Sequence, residues 1–281
     1  MKLIIHGGFF SESSQSAETK LAKQEALKRI ITSSYEFLRA HSAFETVIHA
    51  VAQLEDDPLF NAGTGSQIQS DGVIRMSASI MDGVSQRFSG VINIEEVKNP
   101  IRVAEKLFPA DDRVLGGAGA TRFARENGFP VFSTEIPQRR KEYEEKKRAA
   151  KVTGTVGCVA FDAKGHIAAA TSTGGKGFEI PGRISDSATT AGNYANGFCG
   201  VSCTGVGEDI VSTAVATKIV TRISDGMDIE NAFRKTFAEL KEIDGFAGAI
   251  AIDHKGNVFH LDSHPSMVFA SYDGSTFNCF D

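Results

Sequence analysis

Tryptophan is absent from this 281-residue chain, cysteine occurs four times, and no apolar run approaches the length of a membrane span. A helix that crosses a bilayer needs about 20 consecutive apolar residues, so a helical span is excluded. The start, Met1-Lys2-Leu3-Ile4-Ile5-His6-Gly7, is apolar over too few residues for a signal-peptide core. It reads as a strand entering a core, and a cytoplasmic protein is expected. Cys158, Cys199, Cys203 and Cys279 are too few and too late for a disulfide scaffold. Cys199 and Cys203 have no second Cys or His pair at zinc-ligand spacing, so buried free thiols are expected. Positive charge is in deficit: Lys and Arg number 30 against 35 Asp and Glu, for a net charge of −5. Nothing basic offers itself to nucleic acid or to an anionic membrane. The seven histidines are scattered without ligand spacing, and His6 reads as structural. Gly116-Gly117-Ala118-Gly119 lacks the Lys-Ser/Thr of a P-loop and the last glycine of a dinucleotide fingerprint, so tight packing of a strand on a helix is its expected use.

What is present is an ordinary globular composition, 41% hydrophobic with 28 Gly, long enough for one large domain or two modest ones. Leu27, Ile30, Ile31, Ser34, Phe37 and Leu38 recur at helical spacing, as do Phe44, Val47, Ile48, Val51 and Leu54. Strands are expected from Met76 to Met81 and from Phe88 to Ile94 around a turn at Asp82-Gly83. Helices are expected near Arg102 to Leu107 and Gly119 to Asn127. Residues Gln138 to Lys151 are dense in charge and nearly free of apolar side chains, as in a solvated helix or disordered linker; either way the stretch is expected to be an exposed tether. Val156 to Asp162 and His166 to Thr171 form a hairpin pattern around Ala163-Lys164-Gly165, which returns at Ala249 to Asp253 and Val258 to Leu261. Ile210 to Ile223 and Ile229 to Leu240 read as two helices. Apolar strands flanked by helix pairs suit a layered α/β architecture.

The chemistry concentrates at Gly154-Thr155-Val156-Gly157 and in three later stretches. These are Thr171-Ser172-Thr173-Gly174-Gly175, Pro181-Gly182-Arg183-Ile184-Ser185-Asp186-Ser187 and Ser202-Cys203-Thr204-Gly205-Val206-Gly207-Glu208. A threonine hydroxyl is a poor nucleophile until a base stands beside it. Cutting the Gly154–Thr155 bond would give Thr155 a free α-amine within reach of its own hydroxyl, so that nucleophile and base become one residue. An α-amine titrates near roughly 7.7–8.0 and is partly unprotonated at neutral pH, whereas a lysine amine is not. Arg183 and Asp186, three apart, suit a zwitterionic head, the guanidinium gripping an α-carboxylate and the carboxylate an α-ammonium. The plainer alternative is an ion pair between the two.

These four motifs, in this order and spacing, resemble those of the plant-type L-asparaginase / isoaspartyl peptidase family of N-terminal-nucleophile hydrolases. The resemblance runs from Ile5-His6-Gly7-Gly8 through Phe60-Asn61-Ala62-Gly63 to the last paired strands. It implies a single domain over residues 1–281 with a four-layer αββα sandwich. It implies autocleavage between Gly154 and Thr155 into an α subunit, residues 1–154 with an exposed linker over about 133–154, and a β subunit, residues 155–281. It implies hydrolysis of β-aspartyl dipeptides and L-asparagine through a covalent acyl-enzyme on Thr155. Thr173 would orient that hydroxyl, Thr204 and the Gly205 N–H would stabilise the oxyanion, and Asn61 would support the site. Arg183 and Asp186 would bind the substrate head, with Thr204 and Gly205 at its amide carbonyl. By the same resemblance the main-chain carbonyls of Leu54, Glu55, Asp57, Phe60, Ala62 and Thr64 would wrap a structural sodium ion. No cofactor is expected for catalysis, and a pair of αβ units is expected as the assembly.

Three departures from the family pattern stand out. Phe9-Phe10 follows His6-Gly7-Gly8 where small residues are usual, and two aromatics there would slow processing or narrow the cleft. Ser77 replaces a common aspartate, and Ser185 a usual glycine. Two other readings stay open at this stage: a glycosylasparaginase-like amidase, which Thr173-Gly174-Gly175 disfavours, and a non-processing homologue that binds aspartyl ligands.

Overall fold

The computed structural model describes residues 1–10, 16–146 and 154–281. In chain order the elements are β1 (Lys2–Phe9), α1 (Ala17–Leu38), α2 (Ala43–Asp56), β2 (Met76–Asp82), β3 (Arg87–Ile94), α3 (Pro100–Leu107), β4 (Val114–Gly116), α4 (Gly117–Glu126) and α5 (Pro137–Lys146). They continue with β5 (Val156–Phe161), β6 (Ile167–Thr173), β7 (Asn193–Ala195), β8 (Cys199–Gly205), α6 (Gly207–Thr213), α7 (Val215–Ser224) and α8 (Ile229–Glu242). The last four are β9 (Ala247–Asp253), β10 (Val258–Asp262), β11 (Met267–Tyr272) and β12 (Phe277–Cys279). The strands form an eight-stranded sheet, ordered β12-β11-β1-β5-β6-β2-β3-β4, and a four-stranded sheet, ordered β10-β9-β8-β7. Every pairing is antiparallel except that of β3 with β4.

Side-chain alternation along a strand divides the core into three sheets of contact. On β1, β5 and β6 one set of residues (Leu3, Ile5, Val156, Cys158, Ala168, Ala170) packs under α1, α2 and α3. On β8 and β9 the set Cys199, Val201, Cys203, Ala249 and Ala251 packs under α7 and α8. The opposite faces meet each other: Ile4, Met81, Val159, Ile167 and Ala169 of the larger sheet contact Ala195, Ile250 and Ile252 of the smaller. The result is the expected αββα sandwich. The helices carry local signals as well. Ser16 caps α1 by accepting from the Thr19 N–H, and Ser42 with Glu45 forms a capping box on α2.

Three expectations need correction. The single helix expected over Ile210 to Ile223 is two, because Ala214 takes a left-handed conformation (φ 50°, ψ 47°) and the chain turns between α6 and α7. No Gly or Pro marks the break, and the hydrogen bond from the Ala216 N–H to the Ala191 carbonyl (2.8 Å) anchors it. The glycines at 116–119 do not serve close packing, since a Cβ at Gly117 or Gly119 would meet nothing within 4 Å. Gly117 is needed instead for its φ of +52° at the start of α4. Finally, the charged stretch is helical over α5, one of the two forms expected, but docked and not wholly exposed. Arg139 Nε donates to the Gly65 carbonyl (2.7 Å), the buried Tyr143 hydroxyl to that of Ser70 (3.2 Å), and Gln67 to Glu142. The rest of that stretch, 147–153, lies outside the described residues.

Two glycines let the sheets close. A Cβ on Gly200 would lie 2.7 Å from Ile167 Cγ2, and one on Gly157 only 2.0 Å from Ser202 Oγ and 2.3 Å from His6 Nε2. Overpacking of this kind costs about 1–3 kcal/mol. Gly157→Ala should therefore lower the midpoint of thermal or urea unfolding by a clear margin, and an unchanged midpoint would contradict this packing.

Candidate active site

The inner row that is apolar at one end of the sandwich becomes polar at the other. The same alternation that turns Ile4, Val159 and Ala169 inward turns His6, Gly157, Thr155, Thr171 and Thr173 inward, and across the gap Ser202 and Thr204 on β8. The five inward-facing hydroxyl or imidazole side chains on β1, β6 and β8 (His6, Thr171, Thr173, Ser202 and Thr204) are buried. Thr155, just before β5, is also buried, and its Oγ1 donates to Thr173 Oγ1 at 3.2 Å. Thr173 Oγ1 in turn donates to the Gly154 carbonyl oxygen at 3.1 Å. Asn61 Nδ2 donates to the same oxygen at 2.8 Å and to the Gly175 carbonyl at 2.5 Å. Asn61 is itself held: its Oδ1 accepts from the Gln67 N–H (3.0 Å) and its carbonyl from the Gly174 N–H (2.9 Å). The Gly154 carbonyl, next to the Thr155 hydroxyl, thus takes two side-chain hydrogen bonds, which polarise its carbon towards attack. Gly8 presses backbone against this peptide, with φ +88° and a virtual Cβ 3.0 Å from Gly154 Cα and 3.1 Å from the Thr155 nitrogen.

Thr204 Oγ1 is fully buried and has no hydrogen-bond partner among the described residues. An unmet buried hydroxyl costs free energy. Thr204 is not among the residues that line the cavity beside Thr155, whereas Gly205 is. Gly205 follows with φ +139°, a conformation that L side chains rarely adopt, and a Cβ there would strike the Phe246 carbonyl at 2.5 Å.

Arg183 and Asp186 come together, but not as a pair. Arg183 gives Nε (3.0 Å) and Nη2 (2.8 Å) to the two carboxylate oxygens of Glu208, and Lys176 Nζ adds a third contact to Glu208 Oε1 at 3.0 Å. Those two cations hold the Glu208 carboxyl down to about 2. Asp186 is buried, its Oδ2 has no partner among the described residues, and burial raises its carboxyl to about 7 against the opposing effect of Arg183. Gly207 makes room for both: a Cβ would lie 2.7 Å from Arg183 Nη2 and 2.8 Å from Asp186 Oδ1. Glu208 and Lys176 were not assigned roles from sequence. Nothing in the sequence pairs Glu208 with Arg183; the folding of their two loops onto each other does.

One cavity joins these groups. Gly154, Thr155, Thr173, Gly175, Arg183, Asp186 and Gly205 line it together with Lys176, Ser185, Val206 and Gly207. Its volume is about 40 Å³, room for water and not for an amino acid, and Gly154 lines its Thr155 end. Ser185 turns its hydroxyl to the Ser187 N–H (3.3 Å). Ser77 accepts from the Asn93 N–H (3.1 Å), and Asn93 Nδ2 donates to the Gly182 carbonyl (3.0 Å), which ties β2 to the Arg183 turn. Phe9 and Phe10 do not narrow the cleft. Phe9 packs between the sheets against Phe246 (ring centroids 4.5 Å apart), and Phe10 sits against Phe280 at 5.2 Å.

The segment expected to wrap sodium, Leu54 to Thr64, includes Asn61. Glu55, Phe60 and Pro58 turn carbonyl oxygens to within 2.4, 2.8 and 2.9 Å of the virtual Cβ positions of Gly63 and Gly65. The Glu55 carbonyl accepts from the Thr64 N–H at 2.7 Å, that of Asp57 from Phe60 (3.1 Å) and that of Leu54 from Asp57 (3.4 Å). A hard cation needs several oxygens free to coordinate it, and three of the six expected carbonyls, those of Leu54, Glu55 and Asp57, already accept a hydrogen bond. The Glu55 side chain has a separate task, accepting from Ser172 Oγ (2.7 Å) and the Ile101 N–H (3.0 Å); burial raises its carboxyl to about 8. No group of three or more His, Cys, Asp or Glu side chains among the described residues could hold a metal ion.

Comparison with known proteins follows the same lines. A sequence model of the asparaginase family matches residues 1–279. An isoaspartyl peptidase/L-asparaginase of Synechocystis sp. is 44% identical over 98% of this chain and 88% of its own length. A plant-type L-asparaginase of Pyrococcus furiosus is 35% identical over 95% of both chains. An isoaspartyl peptidase/L-asparaginase of Mus musculus is 35% identical over 96% of this chain and 87% of its own.

Proposed function

The chain belongs to the asparaginase family, and from that premise and the geometry around Gly154 we propose that it is a self-cleaving amidohydrolase acting on β-aspartyl dipeptides and L-asparagine. The observation that carries this reading is the Gly154 carbonyl, held by Asn61 and Thr173 beside the Thr155 hydroxyl in the cavity that contains Arg183 and Asp186. Attack of Thr155 Oγ on the Gly154 carbonyl carbon breaks the peptide bond to the Thr155 nitrogen and leaves an ester, with Asn61 Nδ2 and Thr173 Oγ1 facing the developing oxyanion. Water opens the ester, releasing residues 1–154 as the α subunit and a β subunit that begins with the Thr155 amine.

Removal of Gly154 from the cavity makes room for substrate. The free α-amine then takes the proton of the Thr155 hydroxyl as it attacks the substrate amide. Thr204 Oγ1, unpartnered among the described residues, and the Gly205 N–H receive the new oxyanion. Glu208 occupies the Nε–Nη2 edge of Arg183, which leaves the Nη1–Nη2 edge for the α-carboxylate, and Asp186 takes the α-ammonium. Asparagine and a β-aspartyl dipeptide share that head and differ only in what leaves, ammonia or an amino acid, so one site serves both. The names of the Synechocystis and mouse relatives carry both activities. A sodium ion on the carbonyls of Leu54, Glu55, Asp57, Phe60, Ala62 and Thr64 would supply no chemistry; it would stiffen the loop that presents Asn61. We further propose that two αβ units assemble. No helix among the described residues is long and apolar enough to cross a membrane.

The test is hydrolysis by the cleaved protein of a β-aspartyl dipeptide, L-asparagine and a glycosylated asparagine. The first two should be turned over and an ordinary α-dipeptide refused. Preference for the glycosylated substrate would assign the chain to a different amidase.

A further inference from the structure

Among the buried polar side chains that the chemistry above leaves unused, one stands between the two halves of the site. His6 is fully buried on β1 and faces the gap between the sheets. Its Nδ1 lies 3.1 Å from the Thr155 carbonyl oxygen, and its Nε2 lies 2.9 Å from Ser202 Oγ. Ser202 Oγ lies 2.7 Å from Thr171 Oγ1. A carbonyl oxygen can only accept, so Nδ1 carries the ring proton. Nε2 must then accept from the Ser202 hydroxyl, whose oxygen accepts from Thr171. The chain of bonds has one direction, and each member is satisfied. Burial lowers the imidazole to about 3, so the ring stays neutral and keeps this tautomer across the working pH range.

The two ends of the chain are the two halves of the site. Thr155 belongs to the larger sheet, through β5; Ser202 stands two residues before Thr204 on β8 of the smaller one. The sheets are separate hydrogen-bonded units, so side chains set the distance between them. That distance decides whether a carbonyl attacked by Thr155 places its oxygen on Thr204 and Gly205. Gly157 keeps the passage clear for the imidazole.

We propose that His6 is a positioning residue: its ring bridges the nucleophile strand of one sheet to the oxyanion strand of the other and fixes their separation. The proposal rests on the reading of Thr155 as nucleophile. A flat ring with a donor and an acceptor at fixed separation suits this task better than a flexible amide, and the bond it makes to Thr155 is to the backbone, so it holds the peptide without touching the reacting hydroxyl.

The experiment compares wild type, His6→Asn, Ser202→Ala and His6→Phe on a β-aspartyl dipeptide, with kcat expressed per free Thr155 N-terminus counted by intact mass. Asparagine can still donate to the Thr155 carbonyl but is too short to reach Ser202. His6→Asn and Ser202→Ala both break the His6–Ser202 end of the bridge, Ser202→Ala removing the Thr171 contact as well. His6→Asn should lose about tenfold in kcat and Ser202→Ala at least as much, with KM within about threefold of wild type. His6→Phe breaks both ends and should lose about 100-fold. A histidine with a structural role alone would lower the unfolding midpoint and leave kcat per free Thr155 unmoved. That outcome in His6→Asn and Ser202→Ala overturns the proposal, as does a raised KM with unchanged kcat. If His6→Phe does not fold, the other two variants decide. For a variant that folds but stays uncut, loss of cleavage at an unchanged unfolding midpoint supports the bridge, since cleavage uses the same hydroxyl. Wild-type protein that hydrolyses the dipeptide with Thr155 still joined to Gly154 sinks the nucleophile reading and the bridge together; the variant results alone bear only on the bridge.

Discussion

Thr155→Ala should yield one uncut chain of 281 residues with no measurable hydrolysis of a β-aspartyl dipeptide. The substitution removes the attacking oxygen from both reactions at once, the cut that makes the enzyme and the turnover that follows. Loss of a nucleophile costs on the order of 10⁴–10⁶ in kcat where it has been separated from binding; here the block on cleavage adds to it, because Gly154 stays in the cavity. The fold should survive, since among the described residues Thr155 Oγ1 makes a single hydrogen bond, to Thr173. Thr155→Ser keeps the hydroxyl and the future amine and should cut and turn over, more slowly. Cleavage or hydrolysis by the alanine variant at wild-type rate would remove Thr155 from the chemistry.

Arg183→Ala should raise KM for L-asparagine and for the dipeptide by about 30- to 100-fold, the loss of a charge-assisted carboxylate grip worth about 2–3 kcal/mol. Stability should change little, because Glu208, the partner left behind, is half exposed and regains water. Arg183→Lys should recover only part of the loss: an ammonium cannot serve Glu208 along one edge and a substrate carboxylate along another. The neighbouring Asp186 adds a pH dependence with a definite sign. Its carboxyl is raised to about 7, and only its ionised form attracts an α-ammonium. KM should therefore rise as pH falls through about 7, and Asp186→Asn should flatten that dependence, raising KM above about 7 and leaving it near the wild-type value below. An unchanged KM in Arg183→Ala would mean that the α-carboxylate is held elsewhere.

The residues at the site were legible where the chemistry demands a particular side chain at a particular step along the chain. A nucleophile with its own amine, donors beside it and an Arg/Asp pair for a zwitterion each leave such a mark. The alternation of β5, β6 and β8 then suffices to turn Thr155, Thr173 and Thr204 towards the gap between the sheets, where Thr155 and Thr173 line one cavity. Contacts set by three-dimensional distance left none. His6 and Ser202 are 196 residues apart in sequence, and only the closing of the two sheets brings them to 2.9 Å. The Arg183–Glu208 pair joins two loops 25 residues apart. Composition misled over α5, where Arg139 and Tyr143 use polar side chains to dock on main-chain carbonyls of the 65–70 loop. Ala214 breaks a helix with a residue of high helix propensity, so hydrophobic periodicity ran through the break unmarked. The aromatic pair Phe9-Phe10 drew suspicion because sequence shows size and not direction; one ring lies in the inter-sheet core and the other against Phe280.

The central claim, that the chain makes its own catalytic amine, is tested most directly by the intact mass of freshly purified protein, repeated after days at neutral pH. The expected result is two fragments matching residues 1–154 and 155–281, with threonine at the start of the second. A single uncut mass at every time, in protein that nevertheless hydrolyses a β-aspartyl dipeptide, would contradict it.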